Sequence, residues 1–180
     1  MSELSRIGAD IELFDRKYRI CFTVRAIDLM QEQFGCHIAE ILKMLSKDNP
    51  ETLLNMAYIL AVLVNERIRS ERAKGSKERF KWLAEILKQI RPDNVVNLWF
   101  GIQQSYQNSF VMKDELDISV GEKEDFYNIV RMLTIGRVLG YREDEVWGMT
   151  PKYLQILHDD YLEYHGHKKK PVTLDEVIPF

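Results

Sequence analysis

Cysteine is scarce in this chain, and no stretch reads as a membrane span, an export leader or a catalytic motif; each lack removes a class of protein. Two cysteines, Cys21 and Cys36, are too few for a disulfide framework, and with no leader in view they read as reduced, partly buried thiols. The longest apolar run, Leu53 to Val64, contains Asn55 and would extend about 18 Å as a helix, well short of a ~30 Å bilayer core. It reads as a buried core helix. The sequence shows no Gly-rich phosphate loop, nucleophile elbow or His-Glu-x-x-His, and no lipidation motif, internal repeat or low-complexity tract. Positive charge is not in excess either: the net charge of −3 argues against an overall attraction to nucleic acid or an anionic membrane.

What is present is globular. Hydrophobic residues make up 46% and charged residues 29% of 180 positions, enough for one sizeable core or two small ones. Ile11, Leu13, Tyr18, Ile20, Phe22 and Val24 alternate with Glu12, Arg19, Cys21 and Thr23, which predicts a hairpin with one apolar face and a turn around Asp15 to Lys17. A lone hairpin is marginal in water, so the following helices must cover it. Ala26, Ile27, Met30 and Phe34 then form a helical stripe over Val24 to Phe34, closed by Gly35. A short helix from about Ile38 to Ser46 follows. Asn49, Pro50 and Glu51 supply a cap, a first-turn proline and a first-turn acid for a helix running to about Lys74.

Gly75 and Ser76 separate that helix from the next, where Phe80, Leu83, Ala84, Leu87 and Ile90 predict the inner face and Arg91-Pro92 the end. From Asp93 to about Met112, Val95, Leu98, Trp99, Ile102, Tyr106 and Phe110 mark a further helix. Lys113 to Gly121, polar and acidic, is the predicted linker. Beyond it, Phe126, Ile129, Val130 and Leu133 define a helix ending at Gly140. A last helix starts at Thr150-Pro151, stapled by Met149 and Leu154, with Leu157, Tyr161 and Leu162 on its inner face. The expected fold is therefore mainly α. Residues 1–112 form a hairpin and helical bundle, residues 113–121 a linker, residues 122–165 a smaller helical unit and residues 166–180 an extended tail.

Candidate chemistry is thin. His165 and His167 lack a third ligand and neighbour three lysines, and His158, Asp159 and Asp160 point about 100° apart on a helix, so neither set predicts a metal or an acid–base pair. No cofactor is expected. Binding is better supported. Arg67, Arg69, Arg72, Lys74, Lys77, Arg79 and Lys81 crowd the junction at Gly75, as a solvated corner or a docking patch for an acidic partner or nucleic acid. Asp114, Glu115, Asp117, Glu122, Glu124 and Asp125 form an acidic counterpart that would allow the protein to self-associate or to fold its two parts together. On the helix from Val95 to Phe110, Trp99 and Phe100 cannot easily both face one core, so one of them, with Tyr106 or Phe110, is the candidate anchor for another protein's apolar helix, with Arg67, Arg72 and Lys77 at its rim.

Two stretches carry a family resemblance. Tyr18-Arg19-Ile20-Cys21-Phe22-Thr23-Val24-Arg25-Ala26-Ile27 with Gln31-Glu32-Gln33-Phe34-Gly35, and Gly140-Tyr141-Arg142-Glu143-Asp144-Glu145-Val146-Trp147-Gly148-Met149-Thr150-Pro151, resemble the strand–helix–glycine opening and the Trp, Met, Thr-Pro signature of tail assembly chaperones of long-tailed bacteriophages and prophages. The resemblance covers about a quarter of the chain. It implies a non-enzymatic chaperone in the host cytoplasm that coats the hydrophobic tape measure protein and recruits tail tube subunits. In many relatives the two parts arise by frameshifting, whereas both stand in this one reading. The absence of glycine from the hairpin turn departs from the pattern. The alternative is a helix-turn-helix regulatory protein built on Leu133 to Leu157, although Asp159, Asp160 and Glu163 ill suit a recognition helix.

Overall fold

The computed structural model describes residues 7–45, 50–64, 76–110 and 128–166. Two strands, β1 (Ala9–Leu13) and β2 (Arg16–Ile20), precede eight helices among these residues: α1 (Val24–Phe34), α2 (Ile38–Met44), α3 (Pro50–Val64), α4 (Ser76–Gln89), α5 (Val95–Ser109), α6 (Ile129–Val138), α7 (Glu143–Trp147) and α8 (Pro151–Tyr164). The protein is mainly helical, with an N-terminal hairpin, as the sequence predicts. Ser46, Asn49, the stretch from Glu66 to Gly75, the 113–121 linker, Phe126, His167 and the tail beyond it lie outside the described residues, as does the side chain of Phe80.

β1 and β2 pair antiparallel with Ile11 opposite Tyr18 and Leu13 opposite Arg16. That leaves Phe14 and Asp15 as a two-residue turn, both left-handed at φ 53° and 56°, one position earlier than the sequence suggests. Such a turn matches strand twist but penalises a side chain at positive φ, which is why glycine or asparagine usually stands there. Phe14 offsets the cost by stacking on Trp82 of α4, ring centroids 5.7 Å apart and 6° from parallel. The turn is held by a tertiary contact that no local signature reveals.

The apolar face of the hairpin, Ile11, Leu13 and Ile20, together with Phe22 beyond it, is buried in the larger of two core clusters, with α1, α2 and α3. Thr23 caps α1 by accepting from the Ala26 N–H at 3.2 Å, and Gly35 ends the helix at φ 65°, where a Cβ would be strained. In α3, Met56 to Leu63 is buried throughout, whereas Leu53 and Leu54 are 43% and 49% exposed, so the apolar run is central only from Met56 onward. In α4 the inner side is Trp82, Leu83 and Ile86, continued by Ile90. Ala84 and Leu87, read from the sequence as inner, face outward.

Helix α5 packs against β1. Its seam is made of small residues one turn apart: Gly101, Ser105 and Ser109 are all buried. A Cβ at Gly101 would overlap the Ile11 methyl, so glycine sets the approach distance. Ser105 Oγ donates to the Ile20 carbonyl at 2.9 Å, the Phe22 N–H donates to Ser109 Oγ at 3.0 Å, and Asn108 Nδ2 donates to the Gly8 carbonyl at 2.7 Å. These side chains receive backbone groups that the two-stranded sheet cannot pair. Ser109→Ala leaves the buried Phe22 N–H without its acceptor, and a loss of about 1–3 kcal/mol in urea unfolding is expected.

The second cluster joins Met132 and Ile135 of α6, Val146 of α7, Met149 and Leu154 to Val24, the first residue of α1. The Val24 N–H donates to the Met149 carbonyl at 2.8 Å, and the Arg25 guanidinium lies 4.0 Å from the centroid of the Trp147 ring. The residues after the linker thus build their core around the start of α1. Thr150 caps α8, accepting from the Tyr153 N–H at 3.3 Å, and Met149 and Leu154 are both buried across that cap. Helix α7, which the sequence does not predict, lies in the connection from α6 to α8 and packs against α6 and α1. On α6, Val130 is 71% exposed, and the inner positions are Met132, Ile135 and Gly136.

Candidate functional site

The α5 surface divides sharply. Leu98 and Ile102 are buried, Trp99 is half-buried against the main core, and Val96 and Phe100 are 56% and 58% exposed. Val96 and Phe100 are four residues apart and share one face. The Phe100 ring stands edge-on to Trp99 at 5.0 Å between centroids, so a core-anchored ring fixes an exposed one. The small-residue seam locks α5 onto the hairpin, which makes this apolar face a rigid platform.

The other two aromatic candidates belong to the core. Phe110 is fully buried, 6.0 Å from Phe22, and is therefore not available to a partner; residue 110 follows the helix in an extended conformation that turns its ring inward. Tyr106 is half-buried, edge-on to Phe22 at 5.8 Å and 4.3 Å from Phe110, and burial pushes its phenol above its ordinary pKa. Arg67 and Arg72 lie outside the described residues, as does the side chain of Lys77. Of the seven sequence-derived positions, Trp99 and Phe100 are brought into contact, and Phe100 alone of the described ones is well exposed.

Other chemistry does not converge. A groove of about 380 Å³ beside β1 is lined by Asp10, Glu12, Asp15, Arg91, Asp93 and Asn94, among others. Asp10 pairs with Arg19 across the hairpin at 3.1 Å, and the Asn94 amide accepts from the Arg91 N–H at 2.8 Å and donates to the Gln89 carbonyl at 2.8 Å. Among the described residues no three His, Cys, Asp or Glu side chains are placed to hold a metal ion. Asp159 accepts from Gln155 at 2.8 Å, and His165 Nδ1 lies 2.8 Å from the Tyr161 carbonyl oxygen. Cys21 and Cys36 are partly exposed and are joined in no disulfide; desolvation, with Glu40 nearby, pushes the Cys36 thiol above its ordinary pKa. No helix among the described residues is long and apolar enough to cross a membrane.

No family model, curated protein or solved structure matches this chain.

Proposed function

We propose that this chain is a tail assembly chaperone of a long-tailed phage or prophage, binding the tape measure protein and recruiting tail tube subunits in the cytoplasm of the host. The observation that carries the reading is the Val96–Phe100 face, an exposed apolar pair braced by Trp99 on a helix packed and hydrogen-bonded onto the hairpin segment. A chaperone for an apolar helical client needs such a surface exposed and preorganised, because holding it rigid lowers the entropy lost on capture. The hairpin running directly into α1, with Gly35 at its end, and the Thr150-Pro151 start of α8 are further support.

Co-expression with the tape measure protein of a long-tailed phage tests the reading. The client alone is expected to aggregate, and to remain soluble with this chain. Phe100→Ser is expected to weaken capture by about 2 kcal/mol, roughly 30-fold, with an unchanged melting temperature. Changes in the basic stretch of the sequence, such as Arg72→Ala or Lys77→Ala, should alter mainly the association rate and its salt dependence. Full solubilisation by a folded Phe100→Ser, Val96→Ser variant would remove this face from the mechanism.

The regulatory alternative has less support, because α7, with exposed Glu143, Asp144 and Glu145, stands where a short turn would join two DNA-reading helices. A mobility-shift titration at physiological salt is expected to give weak, sequence-independent retention. Tight, sequence-dependent binding would reverse the preference.

A further inference from the structure

Helices α6 and α8 carry one pattern on their outer faces, with different charges. Val130, Thr134, Arg137 and Val138 are exposed on α6, with Arg131 exposed beside them, and Ile156, Asp160, Glu163 and Tyr164 are exposed on α8. Both sets fall at i, i+4, i+7 and i+8, which at 3.6 residues per turn gathers each into one stripe about 100° wide. The apolar ends are well out of the core: Val130 is 71% exposed, Val138 56%, Ile156 38% and Tyr164 88%. Met132 and Ile135 on α6 and Leu154 on α8 fill the second core from the opposite sides of the same helices, so the stripes are pinned outward.

A single exposed valine needs no explanation. Two outward stripes of identical spacing, one with a cation between apolar ends and one with two carboxylates between apolar ends, fit each other. They cannot meet within one molecule, because α6 and α8 already pack together through their inner sides. Pairing α6 with α6 sets Arg137 against Arg137, and pairing α8 with α8 gathers four carboxylates; only the cross-pairing is complementary. We propose that these stripes are the two halves of a self-association interface, in which α6 of one copy packs on α8 of a second, Val130 and Val138 meet Ile156 and Tyr164, and Arg137 faces Asp160 and Glu163. The proposal does not depend on the chaperone reading.

Sedimentation of the full chain over a concentration series, at low and at physiological salt, tests it. Self-association that weakens with salt is expected. Arg137→Glu alone, and the pair Asp160→Arg, Glu163→Arg in a separate chain, should each weaken it about tenfold or more while leaving circular dichroism and melting unchanged. Mixing the two reversed chains should restore association, because the reversed α6 stripe of one then faces the reversed α8 stripe of the other. A chain that stays monomeric, an association unmoved by either reversal, or reversed chains that fail to recover on mixing would each overturn the interface. Association that appears only after residues 167–180 are removed would also overturn it, by showing that the chain's own tail covers the α8 stripe.

Discussion

Leu60→Asp is expected to abolish cooperative folding. Leu60 is fully buried in the middle of α3, within a run from Met56 to Leu63 that is buried on every face. Removing the leucine forfeits roughly 1.5–3 kcal/mol of apolar burial. The aspartate must then either lose its charge or keep it in an apolar surround with no partner, at a further cost of several kcal/mol. The sum is comparable with the whole stability of an ordinary domain, about 5–15 kcal/mol. Leu63→Asp should behave alike. Insoluble expression, or loss of the melting transition by circular dichroism, is the expected reading. Leu53→Asp and Leu54→Asp make the same chemical change at the exposed N-terminal end of the same helix and should cost about 1 kcal/mol or less. Leu60→Asp protein that melts normally would mean that α3 is not the centre of the core.

Gly136→Leu should detach α7 from α6. A Cβ at Gly136 would fall on one methyl of Val146 and crowd the other, and Val146 is 1% exposed, β-branched and enclosed in the second cluster, so it has little room to move aside. Overpacking of this kind costs about 1–3 kcal/mol. The damage should be local, since the larger cluster does not include Gly136 or Val146. Hydrogen exchange is the suited measurement: the Val146 and Met149 amides, bonded to the Arg142 and Val146 carbonyls at 3.1 and 3.0 Å, should lose protection while those of α3 keep theirs. Gly136→Ala should show the same loss in smaller degree, because it adds the clashing Cβ without the further atoms of leucine. Equal loss of protection in α3 would show that the two clusters unfold as one.

Where local chemistry and burial agree, the elements are legible in the residues. The change from period two to period 3.6 at Val24 marks the passage from hairpin to α1, and Gly35 and Thr150-Pro151 mark a helix end and a helix start by backbone preferences that need no tertiary context. Helix α7 was illegible because five residues are too few to display a period. On α4, the stripes 83/87/90 and 82/86/90 overlap, and apolarity alone does not choose between them; the Phe14–Trp82 stack and the packing of α4 on α3 do. On α5 the hydrophobic pattern finds Leu98 and Ile102 but passes over Ser105 and Ser109, which are buried because the hairpin backbone requires a donor and an acceptor there.

The candidate surface divides along the same line. Adjacent helical residues point about 100° apart, so the sequence by itself determines that Trp99 and Phe100 cannot share one inner face. Which ring turns out is decided by tertiary packing: the small-residue seam seats α5 on the hairpin in one rotation, and that rotation sends Trp99 to the core and Phe100 to the surface. Phe110 is likewise buried against Phe22, and the second cluster, filled by Met132 and Ile135, turns Val130 outward although it fits its helix's apolar period. Periodicity marks which residues lie on one face of a helix; only the neighbouring elements decide which face is covered.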